Sequence, residues 1–241
     1  MGGMIVPVPP TQPDPTLTHG GAGLPLVRDL LTTYAERPDV RRVAVVGNAP
    51  LQPDADRAAA IDAADLVIRC NSFILDKPGD PPTQGAKVHA VVFSRGLLAT
   101  EFSYARYRDL AYLVTEPSRI YAHKNLARYV KDWPAWWPED LGYVAVPNAA
   151  FTVPLLDEMG VPWTEELVVP TTGTLAVFIA LQCFPHAELT VAGFSMIDDP
   201  DQTEWEHQAG DVSPIGGAHF IKPEGLLFRR WIDQGKVRRL S

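Results

Sequence analysis

His219-Phe220-Ile221-Lys222-Pro223-Glu224 sets a histidine five residues ahead of a glutamate, just behind the flexible pair Gly216-Gly217. An imidazole with a reference pKa of about 6.5 can take a proton from a hydroxyl at neutral pH, so His219 is a candidate general base. Pro223 suits the first turn of a helix ending before Gly235, which puts His219 in the preceding loop and Glu224 in that first turn. On a plainer reading Glu224 only complements the helix dipole and His219 has no chemical part.

Three other segments carry groups suited to an anionic ligand. Gly47-Asn48-Ala49-Pro50 ends a run of valines, and an amide there can donate to phosphate and accept from ribose. One glycine is neither a dinucleotide fingerprint nor a phosphate loop, so the turn also reads as an ordinary strand-to-helix corner. Asn71-Ser72 closes a second apolar run and would reach the same sheet edge as Asn48, although asparagine also simply favours turns. Pro170-Thr171-Thr172-Gly173-Thr174 opens an apolar helix. Thr171 or Thr172 can cap it, and Gly173 lets a ligand approach the first-turn amides, a natural seat for carboxylate or phosphate. Capping alone also accounts for the threonines.

These groups need a scaffold. Val43-Ala44-Val45-Val46 has the form of a buried parallel strand. Further strands are expected at 66–71, 88–94, 111–115, 188–193 and 237–240. Helices are expected at 24–36, 56–64, 99–110, 148–159 with an interruption at Pro154, 172–183, and from Pro223 toward Gly235. This alternation predicts a doubly wound, Rossmann-like α/β fold, a mostly parallel sheet with helices on both faces and ligands beyond the strand C-termini. The Pro/Gly-rich residues 1–23 read as a loosely packed arm before a single catalytic domain at 24–241.

Composition narrows the function. Of 241 residues, 46% are hydrophobic and 21% charged, enough for a real core, and the formal net charge is −8. An acidic chain argues against nucleic acid as a partner and requires local devices to hold an anion. No apolar run reaches the roughly 18 residues of a membrane span, and the start lacks the plan of a secretory signal, so a soluble cytoplasmic protein is expected. The abundance of Ala, Arg and Pro matches a GC-rich bacterial genome. Cys70 and Cys183 leave room for one disulfide at most. Asp199-Pro200-Asp201 has the spacing of a carboxylate metal site, but its acidic surroundings (Asp198, Glu204, Glu206) favour a solvated loop, and no metal is expected.

Together the four segments resemble, in order and spacing, the four-motif pattern of the animal-type sialyltransferases. Val43 to Asn48, continuing through Ile61-Asp62 and Asp65 to Asn71, is similar to that family's long motif. Pro170 to Ala176 with Val191 to Phe194 resembles the short motif. His219 and Glu224 match the very short motif, and Trp205-Glu206-His207 partly matches the remaining one. The stretches 69–73 and 216–224 are also similar to bacterial capsule and lipooligosaccharide sialyltransferases.

The resemblance implies a glycosyltransferase-A-variant fold and inverting transfer from a CMP-activated sugar, classically CMP-sialic acid, to a hydroxyl of a small-molecule or glycan acceptor, without metal. Carried over, Gly47, Asn48, Asn71 and Ser72 would hold the nucleotide. Thr171, Thr172 and Gly173 would hold the donor's carboxylate or phosphate. His219 would deprotonate the acceptor, His207 would meet the phosphate leaving group, and Glu224 would lend structural support. Arg41 and Arg42 stand where the family has the cysteine of its inter-motif bridge, so that bridge is not expected. A hydrolase cleaving a CMP-sugar or a nucleotide glycosidic bond, and a non-catalytic nucleotide binder, are the rival readings.

Overall fold

The computed structural model describes residues 23–94, 99–121 and 142–241. Of the arm expected at 1–23, residues 1–22 lie outside the described residues, as does the Trp/Pro-rich stretch at 133–138, while Gly23 is the first residue of a helix.

Among these residues the strands are β1 Arg42–Val46, β2 Leu66–Cys70, β3 Ala90–Ser94, β4 Ala111–Thr115, β5 Val144–Ala145, β6 Glu188–Ala192, β7 Glu204–Glu206, β8 Val212–Pro214 and β9 Arg238–Arg239. All but β7 and β8 join one parallel sheet in the order β5-β4-β3-β2-β1-β6-β9. The chain steps outward from β1 to β5, then returns to the other side of β1. That reversal opens a crevice at the C-terminal ends of β1 and β6, the place where such sheets bind ligands. Apart from the sheet, β7 and β8 pair as an antiparallel hairpin.

Alternation along the strands decides what each face buries. Val43, Val45, Leu66, Ile68, Val92 and Leu113 point into the larger core cluster. Ala44, Val46 and Val67 point the other way, onto Ile61 of α2 (Ala55–Asp62). On the large face lies α5 (Thr172–Cys183), buried at Thr174–Ala180 because it is packed by the sheet on one side and by α1 (Gly23–Tyr34) on the other. An apolar surface all round is what a helix enclosed in this way requires. The last helix, α6 (Ile221–Asp233), buries Ile221, Glu224, Leu227, Phe228 and Trp231, the i, i+3, i+4, i+7 stripe of a surface helix. Gly235, at φ +68°, follows its end.

Between β2 and β3 no helix forms, and residues 71–89 cross over as a loop ordered by buried polar groups. Arg69, fully buried in β2, donates to the carbonyls of Lys87, Ile74, Gln84 and Gly85. Desolvation pulls its pKa down to about 10 against the nearby Asp62 and Asp76 carboxylates, so it remains a cation at neutral pH. Asp76 in turn accepts from the amides of Thr83, Gln84 and Gly85. These bonds do for the crossover what helical hydrogen bonds do elsewhere.

Three expectations are corrected. The helix at 99–110 is only α3 (Glu101–Tyr104) followed by a 3-10 turn at Tyr107–Asp109. The Ser103 carbonyl, which a continuing helix would offer to Tyr107, accepts the Tyr112 hydroxyl at 2.5 Å instead. The helix at 148–159 begins later, as α4 (Thr152–Met159), and Pro154 does not interrupt it. It sits in the first turn, where a missing N–H costs nothing. Neither β5 nor the β7–β8 hairpin was expected; the hairpin strands are three residues each, exposed at both ends, and β7 is acidic there. No helix among the described residues is long and apolar enough to cross a membrane.

Candidate active site

A cavity of about 540 Å³ opens along the C-terminal edge of the sheet. Gly47, Asn48, Asn71, Thr171, Thr172, Gly173, His207 and His219 all line it, although they are far apart in the chain. Because every strand of the sheet runs the same way, every one of them ends at this edge.

Gly47 and Gly193 meet across the β1/β6 crevice. The Gly47 amide donates to Ala192 O at 2.9 Å and the Ala49 amide to Gly193 O at 3.1 Å. A Cβ on Gly47 would stand 2.3 Å from Gly193 O, and Gly193 itself has φ +73°. Both positions therefore need glycine, and the backbone lies flat beneath the cavity. Next to it, the buried Oδ1 of Asn48 has no partner among the described residues. A buried acceptor left in this state suits a hydroxyl donor from a ligand.

Asn71 adopts φ +43° at the end of β2 and accepts the Ser94 amide on Oδ1 at 2.8 Å. That bond fixes which way the side-chain amide faces and leaves Nδ2 as a donor. The turn sends the chain down into the second core face, where Phe73 packs on Phe93 and Tyr112. Ser72 lies buried behind the strand end and is not among the cavity's lining residues, and its Oγ has no partner among the described residues.

Thr171 is the cap of α5, taking the Thr174 amide on its hydroxyl at 3.2 Å, so Thr172 is the first helical residue. The Thr172 and Gly173 amides are first-turn donors without an intrahelical acceptor. Gly173 does more than admit a ligand: a Cβ there would come within 2.8 Å of the Phe194 ring, which is packed on Phe228 at 4.8 Å. Gly173→Val is therefore expected to lower the thermal midpoint together with ligand affinity, by roughly 1–3 kcal/mol of overpacking. A melt unchanged from wild type would refute this packing.

Glu224 is fully buried and does not serve the dipole of its own helix from solvent. Its carboxyl reaches across to α5, accepting the Thr171 amide at 3.0 Å, the Thr171 hydroxyl at 2.6 Å and the Thr174 hydroxyl. The loop carrying His219 and the N-terminus of α5 are thus joined through one residue. Burial pushes the Glu224 pKa up to about 7, opposed by hydrogen bonds from Thr171 and Thr174.

His219 leans on the neighbouring loop. Its Nδ1 lies 2.7 Å from Val169 O, while the Val169 amide donates to Ala218 O at 2.8 Å. Only a protonated Nδ1 can bond a carbonyl, so the neutral ring keeps its lone pair on Nε2. Burial holds its pKa below the usual histidine range, opposed by the Val169 bond. A neutral imidazole with a free Nε2 at a cavity wall is equipped to receive a proton.

His207 lies just after β7 on the hairpin side of the cavity, with Nδ1 2.6 Å from Asp211 Oδ2. The adjacent Gln208 ties this hairpin to the β1 turn: its amide donates to Asn48 O at 2.8 Å, and its Nε2 to Ala49 O at 3.1 Å. Sequence reasoning missed Gln208, Asp211 and Glu116, and named Phe194 only as the end of a motif. Glu116 lines the cavity just after β4 and pairs with Arg119 at 3.0 Å. The residues directly beyond the C-terminal end of each parallel strand are a signal that would have found Glu116 and Phe194; Gln208 and Asp211 carry no such signal.

Asp199 and Asp201 lie off the wall, and Asp201 pairs with Lys222 at 3.0 Å. Among the described residues no cluster of three His, Cys, Asp or Glu side chains is arranged to hold an ion. Cys70 and Cys183 are buried free thiols, each with its pKa pushed up to about 12 by burial.

No family model matches this chain, and no curated protein does. Solved structures do. A mammalian sialyltransferase in complex with Gal-beta-1-3GalNAc-ortho-nitrophenol is 18% identical over 93% of this chain and 82% of that one, with a TM-score of 0.50. A structure of a mammalian sialyltransferase is 16% identical over 91% of this chain and 79% of that one, with a TM-score of 0.52. At these identities the likeness is one of fold, and it makes the sheet described above a sialyltransferase-like, Rossmann-like one.

Proposed function

We propose that this protein is a metal-independent glycosyltransferase that moves a sugar, with inversion, from a CMP-activated donor to a hydroxyl acceptor. The observation carrying this reading is the convergence, in one cavity of a sialyltransferase-like fold, of an anion seat at α5, two asparagine amides at strand ends and a neutral histidine. The nucleotide lies over Gly47 and Asn48, with Asn71 and the Thr172 and Gly173 amides toward its phosphate or the sugar carboxylate. His219 Nε2 takes the proton of the acceptor hydroxyl as its oxygen bonds the anomeric carbon. The bond from that carbon to the phosphate oxygen breaks, and CMP leaves with the electron pair. Sialic acid is the proposed donor sugar and a glycan the proposed acceptor, as in the solved neighbour that holds a disaccharide.

Calorimetry is expected to give tighter binding of CMP than of UMP, AMP or NAD, unchanged by EDTA. CMP release from CMP-sialic acid should then depend on an added acceptor from a mixed glycan panel. Release at the same rate without acceptor makes the protein a hydrolase, and Mn²⁺-dependent preference for UDP removes the CMP reading altogether.

A further inference from the structure

Transfer from a CMP-sugar leaves negative charge on a departing phosphate, and a site performing it needs a cation or a strong donor there. Among the described residues lining the cavity there is no lysine or arginine; its carboxylates are Glu116, paired with Arg119, and Glu206. Two imidazoles remain. His219 spends Nδ1–H on the Val169 carbonyl and is held neutral by burial, which fits a base and not a cation. His207 differs in its partner, the carboxylate of Asp211 at 2.6 Å.

The turn between them is built to keep that pair. The His207 amide donates to Asp211 O at 3.0 Å, and the Gly210 amide to His207 O at 2.8 Å. Gly210 makes the tight return possible with φ +86°. Gln208 then docks the turn on the backbone of Gly47–Ala49, so the ring is referenced to the nucleotide seat and does not float on a free hairpin. The His207 side chain is 18% exposed, against 46% for Asp211, so the carboxylate backs the ring from the solvent side. Nε2 has no partner among the described residues.

Resting on the proposed CMP-sugar reading, the geometry points to Asp211 as a positioning residue that holds His207 by Nδ1 and aims Nε2 at the donor phosphate. Nδ1–H is held by the carboxylate, and in the imidazolium form Nε2–H is presented to the cavity. As the carbon–oxygen bond breaks, its electron pair stays on the phosphate oxygen, and Nε2–H hydrogen-bonds that oxygen. Charge on the ring matters as well as direction, because a neutral ring with Nδ1–H on Asp211 offers the phosphate only a lone pair. The other ionisable groups on the hairpin strands are Glu204 and Glu206, of which Glu206 lines the cavity; His219 lines it from the loop before α6.

The test compares CMP with cytidine, which lacks the phosphate, by calorimetry on the intact protein and on Asp211→Asn, His207→Ala and the double variant. The expected result is CMP affinity about tenfold weaker in each single variant, the scale of one charge-assisted hydrogen bond, with cytidine affinity unchanged. The double variant should be no weaker than His207→Ala alone, since the two residues act as one unit. Equal losses for CMP and cytidine would make Asp211 merely structural and overturn the assignment. So would an unchanged Asp211→Asn, or additive losses in the double variant. A wild-type protein that binds neither ligand takes the CMP reading down with it, and the cytidine arm separates that failure from this one.

Discussion

His219→Ala is expected to lose about 10²- to 10⁴-fold in turnover while CMP affinity stays within a few-fold of wild type. A general base acts on the proton of the acceptor, so its loss is felt in the transition state and not in the bound nucleotide. The wild-type rate should also fall on the acid side, because only the neutral ring has a lone pair on Nε2. Burial moves that limb below the ordinary histidine value of about 6.5, and the Ala variant should lack it. Steady-state rates with CMP-sialic acid and an active acceptor, taken from pH 5 to 8, check both statements. Retention of more than about a tenth of wild-type turnover would reduce His219 to a loop residue bonded to Val169.

Glu224→Gln should change how stability depends on pH more than any other single substitution considered. A carboxyl whose pKa rises from 4.5 to about 7 on folding binds its proton more tightly in the native state. The stability it contributes is complete below about pH 4.5 and is lost as pH climbs to about 7. The shift corresponds to about 3 kcal/mol across that window. Glutamine fills the same space without titrating, so the variant should gain on wild type as pH rises and run parallel to it above pH 7. Half-buried His89 and His219 act in the opposite sense. Burial lowers both pKa values, and the stability they contribute is lost as pH falls through about 6.5. They are present in both proteins and cancel in the difference. Urea denaturation of the two proteins at half-unit steps from pH 4.5 to 8 reads it directly, and superimposable profiles would contradict a neutral buried carboxyl.

Glu224 also marks the boundary of what is legible along the chain. Its spacing from His219 was visible, and so was its place in the first turn of α6. The sequence could not say that the side chain crosses to Thr171 and Thr174, 53 and 50 residues away, because only packing α6 beside α5 brings them together. Gly173 is similar: its type was legible, yet the reason for it is the Phe194 ring from the end of another strand.

What the residues determined by themselves is what periodicity and local chemistry encode. The apolar runs ending in polar groups specified parallel strands and the edge where a ligand would lie. The Pro-Thr-Thr-Gly opening specified a capped helix from Thr172 to Cys183, and the segment from His219 to Glu224 specified a loop running into a helix. Tertiary structure decided everything that depends on two distant segments meeting. It paired Gly47 with Gly193, turned Ser72 into the interior, ordered the β2–β3 crossover around buried Arg69, and folded an acidic stretch into a hairpin that sets Asp211 behind His207. Local propensity carries no information about such contacts, because their energy comes from desolvation and from partners supplied by the rest of the fold.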